Sequence, residues 1–182
     1  MKIKVIIFFV FFTRFVFGQK SDTIIKPIKK EFFPLAVGNK YIYSIKSKNK
    51  KNNISGYDTV IVLNKSLEKG YKIFNLNNGI VYYLKNDSVF YRNPMEFQNH
   101  TYKPLYFETK DSYYPFFHGS CAVTRVETSF MASYKQDQKK YVNCYKFYFP
   151  SENKVVIVAR GIGIIEMLQN GVTKKLLYIE LH

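Results

Sequence analysis

From Tyr41 to its end the chain repeats one grammar, a short run of aromatic and β-branched residues followed by a cluster of turn formers, and this confines it to β structure. The first run is the clearest. Tyr41, Tyr43 and Ile45 alternate with Lys40, Ser44 and Lys46, the two-residue period of a half-buried strand, with Ile42 the one departure. Comparable runs cover Tyr57 to Leu63, Gly70 to Leu76, Gly79 to Lys85, Ser88 to Tyr91 and Leu105 to Glu108. Further runs cover Ala122 to Ser133, Lys139 to Phe149, Lys154 to Ala159, Gly163 to Leu168 and Val172 to Leu181, none with a sustained helical period. Turn residues such as Asn77-Asn78-Gly79 and Asn86-Asp87 separate them. The pattern predicts an all-β domain, an antiparallel meander of roughly ten strands forming a curved half-barrel or barrel.

Two stretches break the rhythm. Asn93 to Lys103 and Lys110 to Gly119, with Pro94, Pro104 and Pro115 in or beside them, read as loops or edge pieces, where a missing amide is tolerated. The region from Asn93 to His118 also has room for a short helix. Lys46 to Asn53 has no apolar period and reads as a solvated hairpin tip.

The N-terminus carries a different message. Lys2 and Lys4 precede an apolar run from Val5 to Phe12, and Val16 and Gly18 occupy the small-residue positions of an export cleavage site. Residues 1–18 are therefore expected to be a secretory signal peptide, cut near Gly18-Gln19. Arg14 and the short length argue against an uncleaved anchor, because a span needs about 20 apolar residues. No cysteine follows the cut, so no lipid anchor is expected. The polar stretch 19–31 reads as a flexible lead-in and 32–182 as a single β domain, periplasmic or secreted and without a transmembrane span.

The chain has 28 basic and 13 acidic residues, a net charge of +15. Such a balance favours polyanions of the cell envelope as partners. Only Arg92, Arg125 and Arg160 follow the signal as arginines, and scattered lysines make a solvated surface, so no specific nucleic-acid site is expected.

Three segments, Phe33-Pro34-Leu35-x-x-Gly38-Asn39-x-Tyr41-x-Tyr43, Asn143-Cys144-Tyr145-Lys146-Phe147 and Ala159-Arg160-Gly161-Ile162-Gly163-Ile164-Ile165, resemble a loose set of uncharacterised exported bacterial β-proteins. The resemblance spans most of the mature chain, with Tyr41 standing where tryptophan is common. It implies a curved half-barrel similar to those of lipoprotein carriers, whose concave face can hold an acyl chain, and it carries over no catalytic residue. Physics gives the motif glycines structural work: Gly38 at a tight turn, and Gly161 and Gly163 where a bulge or a close backbone approach joins two strands.

Catalytic and metal constellations are absent from the sequence pattern. Gly161-Ile162-Gly163 lacks the third glycine and the helix of a phosphate loop, and His100, His118 and His182 lack zinc spacing. Ser120 has no nucleophile elbow, and neither Cys144 with His118 nor Glu108 with Asp111 belongs to a known catalytic motif. No enzyme, cofactor or metal is expected. Cys121 and Cys144 in an exported protein are compatible with a disulfide and equally with two buried thiols. A simple hairpin register through Gln136 to Gln138 sets Cys144 opposite Ser129 or Phe130 rather than Cys121.

Two roles follow. One is a non-catalytic binding module whose concave aromatic face, lined by Tyr41, Tyr43, Tyr82, Phe90, Phe147 and Tyr178, holds an apolar or lipid-like ligand. The other is a structural or interaction protein of the envelope in which these aromatics fill a closed core. The export signal has a direct test: intact mass and N-terminal sequencing of the protein recovered outside the cytoplasm should give Gln19 as first residue, and residues 1–18 retained there would refute cleavage.

Overall fold

The computed structural model describes residues 22–29, 32–47, 55–85, 88–92, 103–106, 113–118 and 122–182. The expected signal peptide, residues 1–18, and its expected cleavage site lie outside them. The described residues form thirteen strands and one 3₁₀ turn, Pro150–Glu152, with no α-helix among them. The strands are β1 Thr23–Ile25, β2 Lys40–Ser47, β3 Ser55–Glu68, β4 Tyr71–Leu76, β5 Val81–Lys85, β6 Ser88–Arg92, β7 Lys103–Tyr106, β8 Tyr113–His118, β9 Ala122–Gln136, β10 Lys139–Phe149, β11 Lys154–Ala159, β12 Gly163–Gln169 and β13 Val172–Glu180. The all-β meander expected from the period-two runs is the observed architecture.

Strand order is β7-β6-β5-β4-β3-β2-β13-β12-β11-β10-β9-β8, so two meanders meet where β2 pairs with β13. The path leaves β7 and β8 as its ends, and the sheet does not close between them. Chain length nevertheless requires curvature. Twelve strands laid flat would put the two edges about 50 Å apart, yet the residues between Tyr106 and Tyr113 reach at most about 25 Å. The ladder therefore curls into an open half-barrel. Each edge strand contains a proline, Pro104 in β7 and Pro115 in β8, so the missing amides fall where the ladder ends and edge-to-edge pairing is blunted. The described part of Asn93–His118 is thus strand, not helix.

β3 divides the sheet. Its first half, to Ile61, pairs with β2, and its second half, from Val62, pairs with β4 after a register slip at Leu63. The bulge turns the second half of β3, with β4 to β7, against the rest of the barrel. Hairpins are tight: Asn170-Gly171 links β12 to β13 with both residues at positive φ, the twist that two-residue loops require. β3 and β9 run further than the apolar runs suggested, because exposed backbone pairs as readily as buried backbone when its neighbour strand continues.

The core contains Tyr41 and Tyr43 from β2, Phe74 and Leu76 from β4, Phe147 and Phe149 from β10 and Ile164 and Ile165 from β12. β11 is buried on both faces from Val156 to Ala159.

The lead-in departs from expectation. Thr23–Ile25 adds β1 alongside Lys139 to Tyr141 of β10, the one parallel pairing, in the place β11 leaves beyond Cys144. A strap, residues 26–39 with 30 and 31 outside the described set, then crosses the sheet. Phe32 meets Tyr145 of β10 edge-on at 5.3 Å, while Phe33 meets Tyr82 of β5 at 5.2 Å, so adjacent side chains grip both meanders. Gly161 anchors the strap. Its carbonyl accepts from the amides of Ile28 and Lys29, and its amide donates to Phe32. The close approach expected at Gly161 is to this strap: a Cβ there would sit 2.3 Å from the Lys29 carbonyl oxygen, at φ +70°.

Gly161→Ala should therefore cost about 2 kcal/mol more than Gly171→Ala, since both incur left-handed strain but only the first meets backbone. Urea denaturation of the two variants measures the difference, and equal losses would mean the strap contributes nothing.

Candidate functional site

The strap is held at a fixed height above the sheet by Asn39, which is 1% exposed. Its Nδ2 donates to the Pro34 carbonyl (2.8 Å), its Oδ1 accepts from the His182 amide (2.9 Å), and its main-chain oxygen accepts from Val62. The Tyr41 hydroxyl donates to the same Pro34 carbonyl at 2.7 Å. Every polar group of this buried corner has a partner, which a low-dielectric interior demands.

Held there, the strap does not fill the space over the second half of β3 and its neighbours. A cavity of about 640 Å³ remains. Strap residues Phe32, Phe33, Pro34, Leu35 and Ala36 form one wall, and Phe74, Leu84 and Val89 of β4 to β6 form the floor. Leu67, 74% exposed, stands at the mouth. Lys29, Lys65, Lys72 and Lys85 also line it, with Asn39, Gly70 and His182, and among the described residues no Asp or Glu does. Cross-strand register explains the floor: Phe74 pairs with Tyr82, Lys72 with Leu84, and Leu84 with Val89, setting one face toward the strap.

The aromatics singled out from sequence take other places. Tyr41, Tyr43, Tyr82 and Phe147 come together, but in the packed core, at 9% exposure or less. Tyr82 lies just beneath the cavity floor, against Phe33. Phe90 lines a shallow pocket of about 170 Å³ with Glu68, Lys69, Tyr71, Ile73 and Tyr83. Tyr178 is exposed. Cavity lining missed from sequence includes the strap, read as a turn, and the lysines, read as scattered surface. One signal was available: Lys72 has the same strand parity as Phe74 and Leu76, so it occupies a position that a plain core strand would give to an apolar residue.

Cys144 is a free, fully buried thiol opposite Met131 of β9, pushed up to about 12 by burial, while Cys121 lies outside the described residues. Among the described residues no group of three His, Cys, Asp or Glu comes close enough to hold a metal ion. His100, Glu108, Asp111 and Ser120 lie outside them.

Fold and cavity together define an open, curved all-β sheet with a strap-covered cavity that has an apolar floor and lysines in its lining. No protein family and no curated protein matches the sequence. Among solved structures, the chain is similar to a Parabacteroides distasonis ATCC 8503 protein provisionally named a lipoprotein, with 10% identity and a TM-score of 0.44 over 83% of this chain and 99% of that one. It is equally similar to a Bacteroides fragilis NCTC 9343 protein provisionally named as exported, with a YmcC-like fold (10% identity, TM-score 0.44, 84% and 100% covered).

The buried tyrosines predict alkaline instability. Burial pushes Tyr41 up to about 12 and raises Tyr43 and Tyr82 as well. In the unfolded chain these phenols ionise near pH 10, so their stabilisation is complete below pH 10 and is lost as pH climbs toward the folded values. Each should remove about 1.4 kcal/mol per pH unit in that window. Urea midpoints at rising pH should show this, and Tyr82→Phe should flatten the slope by roughly one sixth, because burial also raises Tyr134, Tyr141 and Cys144; an unchanged midpoint up to pH 12 would refute it.

Proposed function

We propose that the protein is an exported, non-catalytic binding module that holds an apolar, lipid-like ligand in the cavity beneath the strap. The observation that carries this reading is the cavity itself. About 640 Å³ lies within the range of small-ligand sites, and its floor is apolar side chains. Export rests on the N-terminal pattern of residues 1–18.

The expected ligand wall of Tyr41, Tyr43, Tyr82 and Phe147 supports the site from below rather than lining it. Their packing is what a structural or interaction protein of the envelope would also need, and it is the strength of that second reading. A closed-core protein has no need of a concavity with an apolar floor beside its filled core, because apolar side chains left facing it forgo contacts. The ligand reading accounts for both.

Titration with an environment-sensitive acyl probe tests it. Binding should be saturable with one site, and Leu84→Gln on the floor should weaken it about tenfold, the loss expected from one buried leucine side chain. Leu67→Gln at the exposed mouth should weaken it less without unfolding risk, and Tyr178→Ala on the far surface should leave it unchanged. Absence of saturable binding, or equal affinity in all three variants, would refute the reading.

A further inference from the structure

We propose that the ligand is an anionic single-chain amphiphile, its acyl chain on the Phe74, Leu84 and Val89 floor and its carboxylate or phosphate head at the lysine rim. This rests on the binding reading above and specifies the head group.

Charge distribution carries it. Lys29, Lys65, Lys72 and Lys85 come from the strap, β3, β4 and β5, so folding, not a basic run in sequence, collects them at one opening. Among the described residues none of the four has a carboxylate partner, and no acid lines the cavity. Three lysines of the larger sheet, by contrast, have carboxylate partners: Lys135 with Asp22 at 2.8 Å, Lys174 with Asp58 at 2.7 Å and Lys175 with Asp137 at 3.2 Å. The placement is also unusual for surface lysine. Lys65 is cross-strand from Phe74, with Nζ 5.8 Å from the ring centroid, and Lys72 is cross-strand from both Leu67 and Leu84.

Four cations around an apolar concavity repel one another more strongly than the same cations in open water. An anion at the rim offsets that repulsion, and a neutral head leaves it in place. The volume suits one chain with a compact head.

Calorimetry on the exported protein with four probes tests the proposal: palmitate, a lysophosphatidylglycerol, the neutral monoacylglycerol of equal chain length, and inorganic phosphate. Both anionic amphiphiles should bind about tenfold tighter than the neutral one, and the excess should shrink in high salt. Lys65→Gln combined with Lys72→Gln should reduce that excess about fivefold, a larger change than any in the neutral probe; both residues are exposed, so the fold is retained. Two further methylenes should tighten the anionic probes about tenfold. A preference between palmitate and the lysophospholipid distinguishes a carboxylate from a phosphate head, and either preference supports the proposal. Equal affinity for charged and neutral amphiphiles overturns the head-group inference while leaving the binding reading intact. Phosphate binding as tightly as the amphiphiles overturns the acyl component, and no amphiphile binding at all overturns both.

Discussion

The ladder between β2 and β13 is the constraint on which the molecule depends. It joins the N-terminal and C-terminal meanders from Val172 opposite Ser47 to Glu180 opposite Lys40, with one slip at Leu177. Without it there would be two separate meanders, each with another bare edge. The pairing of Leu176 with Tyr43 puts two buried side chains at the seam, and the Tyr43 hydroxyl donates across to the Ile164 carbonyl at 3.1 Å. Such a seam closes only after most of the chain is made, so folding must bear a large loop-closure entropy before its contacts reward it.

The cavity is a consequence of how that seam is capped. Asn39 stands one residue before β2 and binds the Pro34 carbonyl of the strap, the Val62 amide of β3 and the amide of His182, so the strap wall is held at the seam. The Leu63 slip turns the second half of β3 away from β2. Strap and floor therefore belong to different parts of the curved sheet and leave a gap that neither can close without breaking buried hydrogen bonds.

Most strands were legible from their apolar pattern: β10 falls where period-two alternation places it, and β11 where a short continuous apolar run does. β1 was not, since Thr23-Ile24-Ile25 is too short to show a period and becomes a strand only by pairing with Lys139 to Tyr141. Four of the aromatics singled out from sequence, Tyr41, Tyr43, Tyr82 and Phe147, lie in the packed core. Aromatic parity on β2 identifies the inner face but does not distinguish packed core from cavity wall, and Tyr41 and Tyr43 are core because the strap lands on them. Cys144 shows the same limit: the sequence left a disulfide and a buried thiol open, and its place in the middle of β10 makes it a free, buried thiol.

Local chemistry in the sequence alone determined the β class, the meander, the proline-marked edges and the basic balance, because alternation, turn residues and charge act over a few neighbouring residues. Only the tertiary structure decided that the sheet stays open, that the lead-in becomes a strap anchored on Gly161, and that four lysines meet around an apolar floor. Those outcomes depend on contacts between segments many residues apart, such as Lys29 and Gly161 or Asn39 and His182, whose geometry exists only once the sheet has curved and its two meanders have joined.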